Sequence, residues 1–184
     1  MQGWSKESEH WVANYFLNSA LSGSFSPPMN AYAYNFLRRT QHAFSEHHNA
    51  RESTLGFLSC GGQSPQRYVT ALFHWENFLS QSWHAYALIL KAWDGTAFRK
   101  NDGSLLQRLN AMYNQMKHVE SRIDSGQMIP GATVPVWLED QGLRSVDVKL
   151  TYHETADVLK ELSQLADTLS NPQTAMAKLT QNDA

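Results

Sequence analysis

Apolar residues recur along this chain mostly at spacings of three and four, the period of a helix with one face on a core. Trp11, Val12, Tyr15, Phe16 and Leu17 predict a first helix over about 5–20, ended by Gly23 and Pro27-Pro28. Ala33, Leu37 and Phe44 predict a second over about 29–50, with a polar far end at Ser45-Glu-His-His-Asn49. The stretch 52–63, with Gly56, Gly61 and Gly62, reads as a loop. Ser64 and Pro65 then suit an N-cap and a first helical position. Beyond them Tyr68, Leu72, Trp75, Leu79, Trp83, Tyr86, Leu90 and Trp93 form one stripe on a helix over 65–93. Phe78 and Ile89 widen one edge, while Phe73 and Leu88 lie towards the back. A helix this apolar is expected at the centre of a bundle or in a dimer interface.

A fourth helix starts at Ser104, with Gln107 completing a capping-box pattern. Its stripe is Leu105, Leu109, Met112, Met116, Val119 and Ile123, and Gly126 ends it. The period then changes to two. Val134, Val136 and Leu138 alternate, as do Val146, Val148 and Leu150, around a turn at Asp140-Gln141-Gly142. This predicts a small β-hairpin over 134–150, with Pro135 confining its first strand to an edge. Thr151 and Glu154 form a second capping-box pattern before Ala156, Leu159, Leu162, Leu165, Ala166 and Leu169. The expected architecture is all-α: an up-and-down bundle of about five helices with a hairpin before the last. It forms a single domain over 1–184, with a loose tail from about 173.

Composition narrows the function classes. Of 184 residues, 17% are charged, against a usual quarter, and 42% are hydrophobic. The net charge of −2 argues against a broad phosphate-binding surface. The longest apolar run, Ala85 to Leu90, is far short of the roughly 20 residues of a membrane span. Cys60 is the single cysteine, which excludes an intrachain disulfide and a Cys-based zinc site. These features together point to a reduced, cytoplasmic setting.

Eight histidines invite a metal hypothesis. Glu7 and His10 form a Glu-x-x-His step, but a di-iron bundle needs two such steps, and the second is missing. His47-His48 reads as a solvated helix end. No metal and no cofactor is expected. Cys60 has no activating base near it in sequence, and no nucleophile elbow or phosphate loop occurs. Glu76 lies roughly 60° from the centre of the aromatic stripe at 100° per residue, which predicts partial burial and a salt bridge or a hydrogen bond to Trp or Tyr.

The face of the fourth helix opposite Met112 and Met116 carries Asn110, Asn114, Lys117, His118 and Ser121. Asn114 and His118 are one turn apart, so they can address a common ligand. The run Tyr113-Asn114-Gln-Met-Lys117-His118 resembles a degenerate signature of the HEPN family. There an Arg, commonly followed by a polar residue such as Asn, precedes a His with four to six residues intervening. The resemblance implies an α-helical bundle, usually dimeric. The family's active members are metal-independent ribonucleases, many in toxin–antitoxin and antiphage systems, with Arg and His of two subunits meeting in a cleft. Asn114 and His118 match the pattern, and Tyr113 stands where the family has Arg. Arg67 and His74, with six residues between them, fit the loose spacing as well, at a frequency chance also delivers. The wider run also resembles bacterial proteins of no assigned activity.

Two functions follow as expectations. The first is a HEPN-like interaction or regulatory component for defence or stress, without catalysis, which accounts for the missing Arg. The second is a ribonuclease in which His118, helped by Asn114 and Lys117, moves the proton of a 2′-hydroxyl. Tyr113, Asn110, Arg67 and His74 are the binding candidates. A weaker alternative is a His-based metal-binding protein. The expected partners are a second copy of the chain and an RNA or a protein, with no membrane.

Overall fold

The computed structural model describes residues 8–22, 25–96, 98–128 and 133–171. Six helices and three strands follow in order. They are α1 (Trp11–Ser22), α2 (Met29–Ser59), α3 (Pro65–Ala92), α4 (Leu105–Lys117), α5 (Val119–Asp124), β1 (Val136–Glu139), β2 (Gly142–Ser145), β3 (Lys149–Thr151) and α6 (Tyr152–Leu169). The fold is a helical bundle with a small antiparallel sheet, as the periodicity predicts. Glu7, Gly23, Pro172 and the tail from 173 lie outside the described residues.

The spine is the α2–α3 hairpin. α3 packs on α2, α4, α6 and β1 and so occupies the bundle's centre. Ser64 caps it by accepting from the Arg67 backbone N–H, with Pro65 at the first position. Leu72, Trp75, Leu79 and Tyr86 of the stripe are buried, together with Phe78. Trp93 falls beyond the last turn of α3 and is exposed.

α2 runs on to Ser59, so the loop expected over 52–63 shrinks to the residues after it. A glycine in a helix costs about 1 kcal/mol, and tertiary contacts outweigh that here. Ala50 is fully buried, the Thr54 hydroxyl accepts from the Trp75 indole at 3.0 Å, and Arg67 donates to the Gly56 carbonyl at 2.8 Å. The chain turns only where Gly61 and Gly62 take φ of +67° and +71°, a region glycine enters freely.

The predicted fourth helix is two. It breaks at His118, which closes α4 and precedes α5. Leu109 and Met112 are buried, whereas Ile123 is 60% exposed and no residue of α5 is buried. The break lets the chain leave the bundle instead of continuing the stripe. In α1, Phe16 and Leu17 likewise face outward, as does Leu165 in α6, where Thr155 and Val158 are buried instead.

The expected hairpin is a three-stranded sheet in the order β1-β2-β3. The turn at Asp140-Gln141 joins β1 to β2 in the register Glu139↔Gly142, and β1 is an edge strand. The alternation at Val146 and Val148 belongs to a bend. Gln115 donates to Asp147 there at 2.6 Å, and only Lys149–Thr151 pairs with β2. A Cβ at Gly142 would sit 2.0 Å from the Leu150 carbonyl oxygen, so β2 and β3 meet there only because the side chain is absent. Val136, Leu143 and Leu150 turn one face of the sheet into the core.

α6 starts with a full capping box: Thr151 accepts from the Glu154 N–H, and the Glu154 carboxylate accepts from the Thr151 N–H at 2.8 Å. The same carboxylate takes a fork of hydrogen bonds from Arg108 of α4, which also donates to the Lys149 carbonyl. These contacts hold the Glu154 carboxyl down at about 2. One arginine thereby ties α4, β3 and α6.

Candidate functional site

Two regions gather chemistry-bearing side chains. The first is the outward face of α4, where the sequence points. Tyr113 meets His84 of α3, with 2.9 Å between the phenol oxygen and Nε2. Their rings stand edge-to-face at 5.1 Å, and Trp83 lies 6.4 Å from Tyr113. Burial lowers the His84 pKa, and the charges of Arg39 and Lys117 lower it further. Arg39 is held by Gln81 at 2.8 Å, and His84 Nδ1 is buried with no hydrogen-bond partner among the described residues. The Asn114 side chain donates to Asn110 at 3.1 Å.

His118 is exposed at the helix break, and its backbone N–H closes α4 on the Asn114 carbonyl. The Asn110, Asn114 and Tyr113 side chains therefore engage neighbours on α3 and α4 rather than His118. Arg67 and His74 are occupied by α2: Arg67 donates to Gly56, and His74 Nδ1 lies 2.7 Å from Glu46. Sequence spacing does not reveal Arg39 and His84, because they come from two other helices. Glu76 is half-buried as predicted, and burial raises its pKa. The predicted salt bridge or hydrogen bond is not found among the described residues. Cys60 closes α2, and its thiol donates to the Phe57 carbonyl at 3.0 Å.

The second region is a cleft of about 410 Å³ between α2, the start of α3 and the start of α6. His47 forms its floor, which corrects the solvated reading of His47-His48; only His48 is exposed. The His47 ring stands edge-on to Trp75 at 5.3 Å and to Phe78 at 5.2 Å. The Thr155 hydroxyl donates to the Tyr152 carbonyl at 2.8 Å, so it accepts from His47 Nε2 at 3.3 Å. That network assigns His47 the Nε2–H tautomer. Burial pushes the His47 pKa down to about 4, with Arg51 and His48 adding repulsion.

The rest of the floor is equally self-contained. Thr54 accepts from Trp75 and donates to the Ala50 carbonyl at 2.7 Å. Tyr152 lies 5.3 Å from Trp75, and its hydroxyl donates to the Glu139 backbone carbonyl at 3.2 Å. Leu55 and Leu58 form the α2 wall, and Leu58 is 60% exposed. Arg51 stands at the mouth, 43% exposed and 3.9 Å from Glu52. What remains open in this cleft is almost wholly apolar surface.

No family model, curated protein or solved structure matches the chain. Among the described residues no helix is long and apolar enough to cross a membrane. No three His, Cys, Asp or Glu side chains among them are grouped to hold a metal ion.

Proposed function

We propose that this chain is a non-catalytic binding component of HEPN-like form, cytoplasmic and homodimeric, with the α2–α3–α6 cleft as its working surface. One observation carries the binding role: a ligand-sized concavity keeps almost wholly apolar surface open to solvent, while His47 Nε2, the Thr54 hydroxyl and the Trp75 indole N–H on its floor are already bonded. Such a surface gains free energy by covering apolar area and asks for no proton transfer. The neutral dye Nile red tests it. The protein is expected to bind the dye with a blue-shifted emission, and Ala156→Phe, which fills the cleft, is expected to remove the signal with the helical circular dichroism unchanged. An undiminished signal in that variant sinks the reading.

The second reading is a ribonuclease on the α4 face. It is favoured by Arg39, Lys117 and Tyr113 gathering around a neutral His84, a set suited to phosphate charge and proton transfer. RNA cleavage by purified protein, beside His84→Ala and His118→Ala, tests it. Activity lost in either variant and indifferent to chelator supports it. Cleavage that both variants retain removes it.

A further inference from the structure

We infer that the α4 face binds a phosphate monoester between Arg39 of α2 and Lys117 of α4, with the Tyr113 hydroxyl as a third donor. The inference rests on the α4 face of the second reading. It needs no cleavage of RNA and no part of the cleft.

A chain of contacts brings the donors to one face. Arg39 donates to Gln81 at 2.8 Å, and His84 stands one turn beyond Gln81 on α3. His84 Nε2 lies 2.9 Å from the Tyr113 oxygen, and Lys117 stands one turn beyond Tyr113 on α4. Both cations oppose a proton on His84, so their charges reach its ring.

Neither cation is neutralised. The ion pairs among the described residues join other groups. Gln81 takes one donor of the Arg39 fork and leaves the rest. The segments that build this face are free of carboxylates. Residues 29–45, 77–92 and α4 carry Arg38, Arg39, Lys91, Arg108 and Lys117 and no Asp or Glu, although the chain has 17 acids. Arg38 bonds Asn35, and Arg108 is bound to Glu154. Arg39 is half-buried, which weakens the screening of its charge. Two like charges gathered there favour an anion between them.

Tyr113 adds a neutral donor. His84 Nδ1 is sealed from solvent with no partner among the described residues. A buried orphan N–H is less tolerable than a buried orphan lone pair, so the His84 hydrogen sits on Nε2 and is donated to the Tyr113 oxygen. The phenol keeps its own proton for an acceptor from outside. A guanidinium fork, an ammonium and a hydroxyl together match the oxygens and the charge of a phosphate monoester. A carboxylate, with a single charge, is satisfied by the arginine alone.

Calorimetry on the full chain with phenyl phosphate, inorganic phosphate and acetate, at neutral pH and fixed ionic strength, tests this. Phenyl phosphate is expected to bind about tenfold tighter than acetate. Arg39→Gln and Lys117→Gln are each expected to weaken it about tenfold, and Tyr113→Phe about threefold. Arg39→Lys, which keeps the charge, is expected to retain part of the affinity. Arg38→Gln removes an equal charge at the next position and is expected to change nothing. Acetate binding as tightly as phenyl phosphate, or an Arg38→Gln loss equal to that of Arg39→Gln, overturns the site as diffuse charge. Inorganic phosphate binding tighter than phenyl phosphate overturns the ester in favour of the free ion. Phenyl phosphate bound with no RNA cleaved supports the inference and removes the ribonuclease reading. RNA cleaved with no phenyl phosphate bound overturns the inference alone.

Discussion

His47 and His118 set the two regions against each other. Both stand in polar stretches of sequence, where His47 reads as solvated and His118 as the candidate for chemistry. His118 is exposed at the end of its helix, whereas His47 is packed edge-on against Trp75 and Phe78 and held neutral. The α4 face carries the residues that the sequence singles out, yet Tyr113 spends its hydrogen bond on α3 and Asn114 bonds Asn110. The cleft carries residues that the sequence passes over, and it leaves apolar area open. A motif names side chains close in sequence. A site needs unspent surface, and that depends on what distant helices cover.

The largest effect is expected at Trp75, which is buried and bonds Thr54 across the hairpin. Trp75→Ala is expected to cost about 3–5 kcal/mol in urea unfolding. Trp83→Ala, at the half-buried α4 side, is expected to cost less than half of that. Equal losses would erase the contrast between the two ends of the aromatic stripe.

Acid titration comes next. The unfolded chain protonates His47 near 6.5, and the folded chain does so only near 4. The unfolded state thus binds the extra proton between those values, and stability falls as pH drops from 6.5 to 4. A gap of that width corresponds to about 3 kcal/mol. His84 acts in the same direction, and Glu76, with its raised pKa, in the opposite one. The difference between the native protein and His47→Gln isolates the His47 share. The native protein is expected to lose more stability than the variant over that window, and parallel curves would mean that His47 is solvated. Glu154 adds its own loss only below its unfolded value of 4.5, as the pH falls towards about 2.

On the α4 face the effects are smaller. Tyr113→Phe removes one hydrogen bond to His84 and is expected to cost about 0.5–1.5 kcal/mol in thermal or urea unfolding. His118→Ala removes an exposed side chain and is expected to stay within about 0.5 kcal/mol. A large loss at His118 would show that the helix break depends on its side chain rather than on the backbone turn.

Much of the fold is legible from local signals. Ser64-Pro65 and Thr151 with Glu154 mark two helix starts because caps satisfy backbone groups within four residues. The turn at Asp140-Gln141 is legible for the same reason. The overrun of α2 past Gly56 is not, because the compensating contacts come from Trp75 and Arg67 on another helix. The third strand is hidden too: Asp147, fixed by Gln115, bends the chain where alternation suggests a continuous strand.

By itself, then, the sequence determined the helical class, the order of the elements, the central place of the aromatic helix and the half-burial of Glu76. Those follow from periodicity and capping, which act over a few residues. Tertiary structure alone decided which histidine is buried, where α4 breaks, that Arg39 and His84 meet Tyr113, and that a cleft opens beside Trp75. Those depend on burial and on contacts between residues tens of positions apart. Burial sets both the cost of a charge and the value of an apolar surface.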